Sequence, residues 1–351
     1  MMRYRLAVCG ILLALVMSGC GPSAEQIATM TASAWTPTPP PPTPTPTATP
    51  VPYGLTAIIT DESGAPIPGA SIVLPQSGSE DPVQADEAGK FTWPNLPGPD
   101  VSLKVSAPGY LPGEQSGSVD RGTSELAVVL KRDAFGLLPA DACASGEKLL
   151  YIEDFQDGKA QGWRNITGAV EFGAKNGWML GPMEQGNNAV YFTGIYHDLD
   201  ALQDMTFDNL VWRLKVMTTG KDGSSSINLK LSHPTPEGGT RYVIGWGADV
   251  ELDLTRMQLP DVGAFSVGQS KFKATEGQWY YVEFSDYQGH VQVWIDGKQE
   301  IDYQDPKPIG PGIISLEVNI LKDPQTMYAF DNLSVCELTA PFSTSIYKPA
   351  Q

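Results

Sequence analysis

The stretch Gly277-Gln-Trp-Tyr-Tyr-Val-Glu-Phe284, followed by Gly289-His-Val-Gln-Val-Trp-Ile-Asp-Gly297, decides how the larger part of this chain folds. Apolar and polar side chains alternate in both runs, the period of a strand with one buried face. Alternation sends Tyr280, Val282 and Phe284 inward with Val291, Val293 and Ile295. Tyr281, Glu283, Gln292 and Trp294 then take the opposite face, and pairing of the two runs as a hairpin brings Tyr281 near Trp294.

The same parity extends outward along the chain. Asn209-Leu-Val-Trp-Arg-Leu-Lys-Val216 places Trp212 in the core and Arg213 and Lys215 outside. Ile227–Leu231 and Val250–Leu254 put Asn228, Lys230, Glu251 and Asp253 on the non-core face, and Arg241 joins them. A polar sheet face bearing a few aromatics suits sugar binding: a ring stacks on the apolar face of a pyranose while carboxylates, amides and guanidinium groups bond its hydroxyls. The candidate ligand-binding set is therefore Tyr281, Glu283, Gln292, Trp294, Arg241, Glu251 and Asp253.

Composition fits an exported, all-β protein. Its 351 residues include 36 Gly and 30 Pro, with short alternating runs between turn signals. The balance of 23 Lys+Arg against 40 Asp+Glu gives a formal charge of −17, which excludes nucleic acid as a natural partner, since phosphates require a basic surface.

The N-terminus sets the compartment. Arg3 and Arg5 precede an eleven-residue apolar run, Leu6 to Val16, too short for the roughly 20 residues of a membrane span and right for a signal peptide. Leu15-Val-Met-Ser-Gly-Cys20 resembles the bacterial lipobox, which implies cleavage before Cys20, lipidation of its thiol and attachment to the extracytoplasmic face of a membrane. Thr36 to Pro52 then holds nine prolines in seventeen residues. It forms neither helix nor sheet and reads as a polyproline II stalk reaching about 50 Å at ~3.1 Å per residue.

Residues 53–133 carry short β-rich runs at 55–60, 70–74, 89–93, 101–105 and 125–130. Gly64, Gly69, Gly89 and Gly109 read as turn residues needing positive φ. The stretches Gly64–Leu74, Asp86–Phe91, Asn95–Gly98 and Ala107–Tyr110 are similar to the carboxypeptidase regulatory-like family, which implies a prealbumin-like or immunoglobulin-like sandwich serving as a spacer or adhesion module without catalysis.

With Cys9 in the signal peptide and Cys20 lipidated, Cys143 and Cys336 remain, and two cysteines in an exported chain are expected to pair. They bracket the C-terminal domain. There, the two opening stretches together with Phe330-Asp-Asn-Leu-Ser-Val335, Glu153-Asp-Phe155 and Gly162-Trp163 resemble the concanavalin A-like lectin/glucanase superfamily, including laminin G-like domains. The organisation expected is a signal peptide at 1–19, an anchored Pro/Thr-rich linker at 20–52, a small sandwich at 53–133, a linker at 134–148, a concanavalin A-like jelly-roll sandwich at 149–338 and a tail at 339–351.

Enzyme chemistry is tested most sharply by Glu251-Leu-Asp-Leu-Thr-Arg256, which partly resembles the glucanase motif Glu-x-Asp-x-x-Glu. The final acid is replaced by Arg256, and Thr255 stands at the unbulged alternative. A retaining mechanism needs two carboxyl groups about 5 to 5.5 Å apart, so the loss of one argues against hydrolysis. His197, His233 and His290 stand isolated, and no nucleophile elbow, P-loop or dinucleotide fingerprint is present. No cofactor is implied. Resemblance to calcium-bearing jelly-roll modules makes Glu153, Asp154 and Asp331 a candidate structural Ca²⁺ set, against the plainer reading of a surface Asp-Asn turn. The expected function is a lipid-anchored, non-catalytic module binding glycan, with a glycoside hydrolase using Glu251 or Asp253, or an adhesion protein binding another protein, as the alternatives.

Overall fold

A computed structural model describes residues 50–79, 81–160, 162–165, 178–184, 187–193, 196–202, 205–235, 238–258, 263–320, 322–323 and 325–347. Cys20 and most of the proline-rich stretch lie outside these residues. The described chain is almost entirely β, in two sandwiches.

The first sandwich contains β1 (Tyr53–Asp61), β2 (Ser71–Val73), β3 (Val83–Gln84), β4 (Lys90–Leu96), β5 (Asp100–Ser106), β6 (Gly113–Ser118) and β7 (Gly122–Leu130). β1 and β7 pair in parallel, while β3-β2-β5-β6 form an antiparallel sheet. Leu55, Ala57 and Ile59 from β1 alternate into a core with Ile72, Leu103, Val105, Val128 and Leu130. β6, polar and glycine-rich, shows no apolar alternation in the sequence and forms at a sheet edge. All four glycines read as turn residues have φ between 69° and 84°. At Gly89 a Cβ would lie 2.4 Å from the carbonyl oxygen of Ile59, so the turn needs both the positive φ and the missing side chain.

The second sandwich is built from β8 (Lys148–Glu153), β9 (Trp163–Asn165), β10 (Trp178–Glu184), β11 (Asn187–Thr193), β12 (Tyr196–Leu202), β13 (Leu210–Thr218), β14 (Ser224–Thr235), β15 (Gly238–Trp246), β16 (Leu252–Gln258), β17 (Gly263–Ser270), β18 (Tyr280–Tyr287), β19 (His290–Ile295), β20 (Lys298–Gln304), β21 (Ile313–Ile320) and β22 (Met327–Glu337). One sheet has the order β10-β11-β22-β13-β18-β19-β20, with β8 also paired to β22; the other runs β17-β16-β15-β14-β21-β12-β9. Between them lies a core that includes Trp212, Trp246, Tyr280, Val282, Phe284, Val291, Val293, Ile295 and Phe330. Parity thus places the opening hairpin and Trp212 as the sequence indicates.

A bulge in β22 reverses that parity once. Phe330 and Leu333 both face the core because Asn332 has φ 49°, and the register against β13 shifts between Arg213 and Lys215. Ser334 and Cys336 consequently point outward, and Cys336 is bonded to Cys143, closing a sequence separation of 193.

The stretch 134–148, read as a linker, packs as part of the fold. A helical turn at Pro139–Ala142 lies against β22, where Ser334 Oγ donates to the carbonyl of Ala142 at 3.0 Å. At the junction of the sandwiches, Asp154 Oδ2 accepts from the amides of Gly109 (2.5 Å) and Leu137 (3.2 Å), and its Oδ1 accepts from Gln156 at 3.2 Å.

Candidate functional site

The seven candidate ligand-binding residues do not share one face. Tyr281, Glu283, Gln292 and Trp294 belong to β18 and β19 of the first sheet, whereas Arg241 and Asp253 lie on β15 and β16 of the second, with Glu251 just before β16. Both groups point away from the core, as parity requires, but from opposite sides of the sandwich. Alternation separates inside from outside without saying which sheet a strand joins. Within the hairpin, Glu283 pairs with Trp294, while Tyr281 exchanges hydrogen bonds with Asp296, so Tyr281 and Trp294 are diagonal neighbours.

The face around Tyr281 and Trp294 is partly covered by the chain itself, with Tyr281 still 38% exposed and Trp294 half-buried. Tyr347 stacks on Tyr281 with ring centroids 4.2 Å apart, and Phe342 meets Trp294 edge-on at 5.5 Å. Glu283 and Gln292 are buried beneath this layer. Arg213 Nε donates to Glu283 Oε1 at 2.8 Å, and its two terminal nitrogens donate to Glu147 at 2.6 and 2.9 Å. Burial alone would lower the guanidinium pKa, but the carboxylates of Glu147 and Glu283 hold it above its ordinary value. Of the stretch read as a tail, 339–351, the described part 339–347 contributes Phe342 to a satellite apolar cluster with Val211, Cys336 and Leu338, and 348–351 lie outside the described residues.

The outward face of the other sheet also carries buried polar groups without partners, as the first sheet does in Glu283 Oε2, Gln292 Oε1 and Trp294 Nε1. Beside them lies a small apolar cluster of Ala201, Leu231 and Ile313. Asn228 on β14 stands opposite Ser315 on β21, and Arg241 on β15 reaches Glu317 on β21, with Nη2 at 2.9 Å from Oε2. Asn228 and Ser315 are fully buried and Arg241 is 3% exposed. Both amide atoms of Asn228, Arg241 Nε and Nη1 and Ser315 Oγ have no hydrogen-bond partner. Burial draws the Arg241 pKa below its ordinary value despite Glu317. An unsatisfied buried donor or acceptor costs roughly 1–3 kcal/mol, so a cluster on adjacent strands is what a ligand supplying hydroxyls would relieve. Ser315 and Glu317 were missed by the sequence reading, although Ser-Leu-Glu-Val-Asn-Ile in β21 carries the same period of two.

The remaining candidates are placed as follows. Asp253 accepts from Thr255 Oγ1 at 2.7 Å, Gln269 Nε2 at 3.1 Å and Ser266 Oγ, so both its oxygens are engaged. Glu251 is exposed, 3.9 Å from Lys273. Arg256, at the place of the missing acid, donates to Asp305 at 2.8 Å. Of the proposed calcium set, Asp154 holds the junction amides, Glu153 accepts from the amide of Phe155 at 2.9 Å and Asp331 lies 3.8 Å from Lys215. Among the described residues these three do not bring one oxygen each within 4.8 Å of the others.

The geometry defines a two-sandwich, all-β protein with a polar sheet face. Residues 54–131 match the family described as the carboxypeptidase regulatory-like domain. The carbohydrate-binding module CBM66 from Bacillus subtilis is similar at 11% identity and a TM-score of 0.38, over 50% of this chain and 94% of that one. Domain 4 of AbnA, a GH43 extracellular arabinanase from Geobacillus stearothermophilus solved with arabinotriose, is 17% identical over 54% of this chain and 93% of its own, with a TM-score of 0.39. A Bacillus licheniformis β-glucanase is 11% identical, over 56% of this chain and 100% of its own, at a TM-score of 0.40. No curated protein matches the sequence.

Proposed function

We propose that this protein is a non-catalytic carbohydrate-binding module displayed outside the cell, anchored through Cys20, raised on the Pro/Thr stalk and spaced by the small sandwich. The ligand face is the outward side of β14, β15 and β21 around Arg241, Asn228 and Ser315. One observation carries this reading: five unpartnered polar atoms, on three buried side chains from adjacent strands, face away from the hydrophobic core. Such a set offers sugar hydroxyls both donors and acceptors at sites already removed from bulk water. Engagement of both Asp253 oxygens by neighbouring donors and the arginine at the last motif position favour binding over hydrolysis.

The test uses the chain with Cys20→Ser, which removes the thiol that would carry the lipid, on an immobilised glycan panel with release of reducing sugar followed in parallel. Binding without turnover, lost by about tenfold or more in Asn228→Ala or Ser315→Ala at unchanged melting temperature, supports the module. Turnover abolished by Asp253→Asn would make it a hydrolase instead. Fatty-acid labelling that persists in the Cys20→Ser variant would remove the anchor.

A further inference from the structure

We infer that the face around Arg241 selects an uncharged glycan and discriminates against carboxylated or sulfated ones. The inference rests on the binding reading above and adds the ligand's charge class. Three observations carry it.

First, the guanidinium of Arg241 is already neutralised, since its Nη2 is paired with Glu317 at 2.9 Å in a site where the two side chains are 4% and 24% exposed. A ligand carboxylate would have to share that charge at short range with Glu317 in a poorly solvated setting. Second, no other cation serves the face among the described residues of β14, β15, β16 and β21. Parity offers Lys230, but its φ of 56° turns the backbone there, and its ammonium bonds Asp286 at 2.8 Å and Asp208 at 3.1 Å instead. The other charged groups on the outward side of these strands, Glu317 and Asp253, are acids, and the cation Arg164 lies on β9, two strands beyond β21.

Third, the unpartnered atoms are of mixed type. Arg241 Nε and Nη1 and the Asn228 amide nitrogen only donate, Asn228 Oδ1 only accepts, and Ser315 Oγ does either. A carboxylate or sulfate group seated against these atoms donates nothing and leaves Asn228 Oδ1 buried without a partner. A hydroxyl accepts from the guanidinium and donates to the amide oxygen in one contact, so neighbouring sugar hydroxyls satisfy the whole set. The formal charge of −17 adds a long-range repulsion toward polyanions, weakened by salt.

The experiment measures calorimetric affinities of the full Cys20→Ser chain for matched pairs sharing a backbone: β-1,4-glucan oligomers with their C6-oxidised forms, carboxyl-reduced with native oligogalacturonate, and β-1,4-mannan oligomers with oligomannuronate, each at low and high salt. The expected result is a neutral member bound about tenfold or more tightly than its acidic counterpart, with affinity insensitive to salt. Glu317→Gln, which frees the arginine's charge, should narrow that ratio. An acidic member bound equally well or better, with affinity falling as salt rises, overturns the charge selection and leaves carbohydrate binding standing. Failure of every pair to bind overturns the carbohydrate reading itself.

Discussion

Tyr347 lies flat against Tyr281, with ring centroids 4.2 Å apart and planes inclined by 22°, so an aromatic that the sequence places on an open platform has one ring face taken by the chain itself and keeps 38% of its surface exposed. Burial pushes the Tyr347 phenol pKa up. Phe342 closes on Trp294 in the same segment. Trp294→Ala should therefore act on stability, lowering it by about 1–3 kcal/mol, and leave glycan affinity unchanged. Trp294→Ala with an unchanged melting temperature and weakened binding would return the ligand to this face.

Arg213 joins the two carboxylates that fasten the cover, Glu283 on the sheet and Glu147 from the segment before β8. It is fully buried, so its removal leaves Glu283 without its countercharge. Breaking a buried pair from one side typically costs about 3–5 kcal/mol. Arg213→Ala should lower stability by about that amount in a denaturant titration. Arg213→Lys should recover only part, because a single ammonium cannot reproduce the two parallel bonds to Glu147. Full recovery by lysine would show that the charge alone matters.

Much of the fold is legible in the sequence because period-two alternation is a local property. Trp212, Val282, Phe284, Val291 and Val293 lie in the core by parity alone. The site is less legible for three physical reasons. Sheet membership depends on non-local pairing, so Arg241 and Tyr281 share a parity and lie on opposite sides of the molecule. Single positive-φ residues, Lys230 and Asn332, turn the chain without a glycine to mark them. The covering segment Leu338-Thr-Ala-Pro-Phe-Ser-Thr-Ser-Ile-Tyr347 is not a strand and has no periodicity, so nothing local shows that it forms a third layer.

The bond between Cys143 and Cys336 joins the segment before β8 to β22 and closes a long loop. By the chain-entropy argument such a crosslink contributes up to about 5 kcal/mol, and removal of a native disulfide typically costs 2–5 kcal/mol. Replacing both cysteines by serine should lower stability within that range. Peptide mapping of the unreduced exported protein should recover the two cysteines as one crosslinked species. Two freely alkylated thiols in the native protein would refute the bond.

Asp305 provides the acid-sensitive contact at the end of the core. Its Oδ2 accepts from the Tyr242 hydroxyl at 2.6 Å and from Arg256 Nε at 2.8 Å, and its Oδ1 accepts from the Lys307 amide at 2.7 Å. Burial alone would raise its pKa, but these three donors and the nearby arginine charge hold it below the ordinary carboxylate value. A depressed folded pKa means that the unfolded chain binds the proton first as pH falls. The stabilisation is therefore complete above the unfolded value of about 4 and is lost as pH drops through the folded one. Asp305→Asn keeps the shape but removes the charge. At neutral pH it should cost about 1.5–3 kcal/mol, the usual worth of hydrogen bonds to a charged group. The gap in melting temperature between the wild type and Asp305→Asn should hold steady above about pH 5 and shrink below about pH 4. A gap of constant size across that interval would show that Asp305 contributes through packing and neutral hydrogen bonding rather than through its charge.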